Sequence, residues 1–190
     1  MGASRATIRF DNDQELEVQQ SSLSATLGYQ YSTRLGLSAS AGAVLGGKVE
    51  GEGFRGDVGK GFSMSAALNH LTMLETAKRP FLSTSLSLAF SRTTAESDDG
   101  TSQRWVATDL RIGAMVGKTL LDRFVPFASA RVFAGPVTWR LGGEKVVGSD
   151  VHHYTVGGGM LYQVPGVLSV FAELLPVGER SMSLGASLSF

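Results

Sequence analysis

Long stretches of this chain alternate strictly between an apolar residue and a small, uncharged one. Residues 181–190 read SMSLGASLSF: Met182, Leu184, Ala186, Leu188 and Phe190 share one face, and Ser or Gly fills the other. The same pattern runs through 34–46 (Leu35, Leu37, Ala39, Ala41, Ala43 and Leu45 against Gly36, Ser38, Ser40 and Gly42) and through 61–72 and 81–92. It returns in 104–117, 124–135, 153–163 and 167–175. A period of two over such lengths means half-buried strands, and no competing period of 3.6 of useful length appears.

The chemistry of the two faces decides what kind of β-protein this is. A soluble sandwich or barrel turns its apolar face inward and carries Lys, Glu, Arg and Asp on the outside. Here the second face is Ser and Gly, and most charges sit between the strands. Charged residues make up 18% of the chain, against roughly 25% in ordinary soluble domains. An apolar face meeting lipid and a small polar face lining a lumen fits this pattern. Lipid offers no partner to a bare strand edge, so such a sheet closes on itself.

Connections support closure. Short ones lie near Ser32-Thr33, Leu74–Pro80, Thr119–Arg123 and Val164–Gly166. Longer ones lie near Gly47–Lys60, Thr93–Gln103 and Arg140–His152, on the same side as tight turns at Asn12-Asp13 and Val177–Glu179. The expectation is one domain over 1–190: an all-β, transmembrane, up-and-down antiparallel β-barrel of ten strands, with eight as the alternative. Residues 15–31 read as one strand whose phase slips near Gln20–Ser22, the mark of a β-bulge. Closure would pair residues 4–11 with 180–190. Ten strands tilted by about 40° imply a backbone radius of roughly 10 Å.

Aromatics belong at the two interfaces of such a barrel. Tyr29, Tyr31, Phe81, Phe124 and Tyr162 fall at the short-turn ends, and Phe62, Phe90, Trp105, Trp139 and Tyr154 at the long-loop ends. Phe127, Phe133 and Phe171 point inward by phase. Four charges occupy inward positions within strands: Asp109, Arg111, Arg131 and Glu173. They read as a network bracing the lumen or a selectivity constriction, and an Asp109–Arg131 pair is expected across the hairpin near Leu120.

The end of the chain carries a resemblance. Ser183-x-Gly185-x-x-Leu188-x-Phe190 resembles the C-terminal β-signal of bacterial outer-membrane β-barrel proteins. That resemblance implies recognition by the barrel assembly machinery, an outer-membrane location and contact with lipid bilayer and lipopolysaccharide. The whole chain is similar in style to small OmpA- or OmpX-like barrels. The opening MGASRATIRF has no charged start followed by an apolar core, as expected of the mature form of an exported protein.

Other chemistry finds little purchase. With net charge +0 and no cysteine, neither nucleic-acid binding nor thiolate chemistry is indicated. His152-His153-Tyr154-Thr155 resembles the His-Tyr-Ser-Asn run of outer-membrane lipid A deacylases, but Thr155 replaces Ser and Val156 replaces Asn. No catalytic residue, metal site or cofactor is assigned. Gly157-Gly158-Gly159 lies within a strand, where it relieves crowding or bends the wall. Arg55-Gly56-Asp57 is read as a chance tripeptide. The expected function is a structural or partner-binding envelope barrel, with a small solute channel as the alternative and a lipid-modifying enzyme as a remote one.

Overall fold

In a computed structural model the alternating stretches form strands throughout. It describes residues 1–51, 54–97, 102–141, 144–164 and 168–188. In chain order the strands are β1 (Gly2–Phe10), β2 (Glu15–Gln30), β3 (Leu35–Gly51), β4 (Phe54–Val58), β5 (Gly61–Met73), β6 (Phe81–Ser97) and β7 (Ser102–Gly117). They continue as β8 (Phe124–Ala134), β9 (Val137–Leu141), β10 (Glu144–Asp150), β11 (Tyr154–Gln163), β12 (Leu168–Gly178) and β13 (Arg180–Leu188). All pairings are antiparallel.

The wall is two rings stacked on shared strands. Toward the short turns, ten strands close in the order β1-β2-β3-β5-β6-β7-β8-β11-β12-β13 and back to β1. The all-β ten-strand barrel expected from the alternation is therefore the fold. Toward the long loops, eight strands close in the order β1-β2-β3-β4-β6-β7-β9-β10 and back to β1. The change in number has a simple cause. The β12–β13 hairpin turns early at Gly178, and above that turn β10 pairs directly with β1, from Ile8↔Asp150 to Phe10↔Gly148. Gly178 has φ +81°, and a Cβ there would sit 1.8 Å from the Tyr154 carbonyl oxygen, so only glycine fits the turn.

The two rings invert their faces. In the eight-strand ring Ile8, Phe10, Leu16, Val18, Val49, Val58, Trp105 and Trp139 point inward and form one packed cluster. Its outer face carries Arg5, Arg9, Glu15, Glu17, Lys48, Glu50, Arg55 and Asp57, with ion pairs Arg5–Glu17, Arg9–Glu15 and Arg55–Glu50. In the ten-strand ring the outer face is Leu23, Leu27, Leu37, Met64, Leu68, Leu86, Leu88, Leu110, Ile112, Met160, Leu174 and Leu184, all exposed.

This inversion corrects two expectations. The apparent slip in β2 is not a change of phase: Leu16 and Val18 are buried and Leu23 and Leu27 exposed on one continuous alternation, because the environment swaps sides between them. A bulge does occur there, but the extra residue is Leu45 on β3, between Ser21↔Gly46 and Ser22↔Val44. Trp105 and Trp139 do not form an outer aromatic girdle. They are 6% and 1% exposed and stack with Phe10 inside the upper ring, at ring-centroid distances of 5.7–5.9 Å. Phe81 also leaves the outer face: its ring lies against the inward Gly117.

Candidate functional site

The polar interior lies directly beneath the apolar cluster. β7 carries Asp109 and Arg111 on its inner face, two residues apart as the strand period requires. β8 carries Ser129, Arg131 and Phe133 on the same face, and β12 carries Glu173. The register Gly113↔Arg131 and Arg111↔Phe133 fixes who can meet whom.

Arg131 does not pair with Asp109, contrary to the expectation. It faces Gly113, and Asp109 lies four residues higher on β7, about 13 Å away along the strand. Arg131 reaches over β11 to β12 instead. Its Nη2 donates to both carboxylate oxygens of Glu173, at 2.6 and 2.8 Å, and Ser129 Oγ donates to the same carboxylate at 3.0 Å. Glu173 on β12 thus satisfies two polar side chains of β8 at once.

Arg111 holds the upper group. It donates to Asp109 and, at 3.1 Å, to Glu179 in the β12–β13 turn. Its guanidinium stacks over Phe133, 4.7 Å from the ring centre. Asp150, at the end of β10, lines the same cavity. That cavity holds about 240 Å³, and its walls include Ala6, Ile8, Trp105, Asp109, Arg111 and Glu179. Burial pushes the carboxyls of Glu179 and Asp150 above their ordinary range, and the nearby Arg111 opposes this in both. One Asp109 oxygen, Oδ1, is buried without a hydrogen-bond partner.

Glu179 and Asp150 were not among the expected site residues. Glu179 had a signal: it continues the inward phase of Ser181 and Ser183 by one more step. Asp150 had none, because its inward aim depends on β10 closing onto β1.

The other expected residues scatter. His153 packs edge-on to Phe133, and His152 lies edge-on to Tyr154. Thr155 is 1% exposed, and its hydroxyl has no partner, so no His–Thr catalytic pair forms. Among the described residues no group of acids and histidines is placed to hold a metal ion. Arg55-Gly56-Asp57 lies in β4, paired with β3 on one side. A Cβ at Gly157 or Gly159 would sit 2.1 Å from a carbonyl oxygen of β12, and the β11–β12 register shifts between Val156 and Gly158. The triple glycine therefore relieves crowding and accompanies a register shift in the wall.

Ser183 and Gly185 face inward on β13, and the Phe171 ring covers Gly185 so closely that a Cβ there would lie 2.5 Å from it. Leu188 faces outward and is exposed. Phe190 lies outside the described residues. Tyr29, Tyr31, Phe62, Phe124 and Tyr154 are exposed or nearly so on the outer face, with Phe62 beside Phe90 and Phe124 beside Tyr162.

No family model and no curated protein matches this chain. Fifteen chains of solved structures match it. One is the transport unit of the autotransporter AIDA-I from Escherichia coli, 11% identical, with 100% of this chain and 88% of that chain covered at a TM-score of 0.49.

Proposed function

We propose that this chain is an integral outer-membrane β-barrel with a structural or partner-binding role in the cell envelope, its passage shut at the long-loop end. The observation that carries this is the inversion of faces. A ten-strand ring apolar outside and Ser-rich inside suits lipid around it. An eight-strand ring charged outside and packed inside suits water around it. Phe10, Trp105 and Trp139 fill the axis at that level, which disfavours an open porin.

The remaining expectations follow from the same reading. Tyr29, Tyr31, Phe124 and Tyr162 would sit at one lipid interface and Phe62, Phe90 and Tyr154 at the other. Ser183, Gly185, Leu188 and Phe190 would serve as the signal for the assembly machinery. Lipopolysaccharide and bilayer lipid would be the surrounding partners. The charges Asp109, Arg111, Arg131 and Glu173 would brace the lumen rather than select ions, since each is engaged by a residue of its own or another strand or turn.

The test is conductance of refolded protein in a planar lipid bilayer, with folding checked by heat-dependent gel mobility. Silence is expected from folded protein. Stable steps that change with Arg131→Ala would overturn the closed passage and make the chain a channel.

A further inference from the structure

The upper ring does not treat its surface cations alike. Arg5 and Arg9 of β1 and Arg55 of β4 are each held by a carboxylate. Arg92 on β6, Arg104 on β7, Lys145 on β10 and Lys60 just before β5 are exposed, and among the described residues none of them has an ion pair or a side-chain hydrogen bond. Their chain neighbours Thr93, Trp105 and Val146 turn inward, so the cations on the strands take the outer face. Register gathers them on one sector. Arg92 faces Val106 and Thr94 faces Arg104, so the two arginines are diagonal neighbours, about 7–8 Å apart. The Gly59 N–H donates to the Thr94 carbonyl at 2.7 Å, which sets Lys60 beside them. The β7–β9 ladder, continued one step past Trp105↔Trp139, brings Arg104 level with Arg140, whose partner on β10 is Lys145. Arg104 and Lys145 thus stand two strand spacings, about 10 Å, apart. The outward carboxylates Glu96 and Asp57 face each other one step beyond Thr94, on the loop side of this belt.

The apolar surface below the belt is shaped as well. Arg92 faces Phe62, whose ring centre lies 5.9 Å from that of Phe90. Two rows further down, Leu27, Ala39, Ala66 and Leu88 stand side by side across β2, β3, β5 and β6, and the two alanines floor a groove between the leucines. That row is about 13 Å below Arg92 at about 3.3 Å per residue, within one half of a hydrocarbon core about 30 Å thick. One sector of the wall therefore offers cations above, an aromatic pair at the boundary and an apolar groove below.

We propose that Lys60, Arg92, Arg104 and Lys145 bind the phosphate groups of one lipopolysaccharide molecule, an acyl chain of which lies in the groove over Ala39 and Ala66. The proposal rests on the outer-membrane reading, which puts the long-loop end in the leaflet that carries this lipid. Charge complementarity identifies the occupant. Belt and groove are continuous, so the ligand joins anions to hydrocarbon in one molecule. Cations without carboxylate partners, spread over about 10 Å, exceed what the single phosphodiester of an ordinary phospholipid neutralises, so the headgroup carries several anionic groups. Arginine suits phosphate through its paired N–H donors. A long apolar stem lets Arg92 lift its charge clear of the Phe62 row.

Titration of fluorescently labelled lipopolysaccharide into the refolded full chain in maltoside micelles tests this, with anisotropy as the readout and folding checked by heat-dependent gel mobility. The folded wild type should bind the phosphorylated lipid at least about tenfold more tightly than the same lipid stripped of its phosphates. The variant Arg92→Gln/Arg104→Gln/Lys145→Gln should lose that preference. The variant Arg5→Gln/Arg9→Gln/Arg55→Gln, whose cations are already paired, should keep it within about twofold. No preference in the folded wild type would overturn the proposal without any variant. A preference that survives the first variant, or falls equally in the second, would overturn it too. Equal affinity for phosphatidylglycerol would reduce the belt to a general anionic-lipid surface, and displacement by millimolar inorganic phosphate would make it a free-anion site; either result overturns lipopolysaccharide as the occupant. Protein that stays protease-sensitive outside phosphatidylcholine vesicles would overturn the membrane reading instead, and the micelle titration then decides the belt alone.

Discussion

The upper and lower halves of the barrel share β1, β2, β3, β6 and β7, yet they solve opposite solvent problems. Above, Leu16 and Val18 of β2 point into a packed core and Glu17 points out. Below, on the same unbroken strand, Ser24 and Thr26 point in and Leu23 and Leu27 point out. Backbone geometry is the same in both. What differs is which face the apolar side chains take, inward above and outward below. A strand can thus cross a boundary between two environments with no change of conformation, only an exchange of residue classes between its faces.

The largest effect should come from the upper interior. Trp139→Ala empties the centre of a cluster where the side chain is 1% exposed, at an expected loss of about 3–5 kcal/mol. Leu88→Ala, on the exposed lower face, leaves no cavity and should change stability by under about 1 kcal/mol. Urea unfolding of the two variants in the same detergent measures the gap. Equal losses would mean that the upper cluster is not the packed part of the molecule.

Next comes the outer surface. Leu88→Arg should cost about 2–4 kcal/mol of folding free energy in vesicles, as a charge facing the hydrocarbon does. Arg104→Leu, above the apolar band and exposed, should stay within about 0.5 kcal/mol. If the two substitutions cost the same in vesicles, the lower ring does not face lipid.

Inside the lower ring, Glu173→Ala leaves Arg131 and Ser129 without their shared acceptor. The expected loss is about 1–3 kcal/mol. Replacing Arg131 as well should recover part of it, because the stranded cation goes too. A double-mutant cycle by urea unfolding checks this. Strictly additive losses would show that the pair does not act as a unit.

The fold was largely legible in the alternation, because period and face chemistry act locally: Leu184, Ala186 and Leu188 announce their environment without help from the rest of the chain. What escaped depended on distant partners. Trp105 and Trp139 looked like interface aromatics because they sit at strand ends. Only the eight-strand closure, made when β10 reaches β1, turns that level into a core. The Arg131 partner was misassigned for a related reason. A hairpin suggested a neighbour on β7, but register put Gly113 there and left Glu173, from β12, as the acceptor. Alternation tells which face a residue takes. It does not tell which residue on a strand further round the wall will reach it.

The smallest effect is a slope with pH, and it too differs between surface and interior. Glu17 lies on the outer face of the upper ring, where its hydrogen bond from Arg5, at 2.5 Å, holds the carboxyl below its ordinary 4.5. A lowered acid binds fewer protons folded than unfolded, so its contribution is present above 4.5 and fades as pH falls below it. Glu179 has the opposite sign. Burial beneath the cluster holds its carboxyl above 4.5, so the folded state binds the extra proton, and stability declines as pH rises from 4.5 through the raised value. Asp150, raised by burial from 3.8, adds to the same decline. Glu179→Gln should therefore flatten the fall in urea midpoint between 4.5 and neutrality, while leaving the loss below 4.5 that Glu17 contributes. Glu17→Gln should do the reverse. Were both variants to keep the full wild-type profile, neither carboxyl would sense its own side of the wall. A flattening by Glu179→Gln alone would place the interior titration at the point where ten strands become eight.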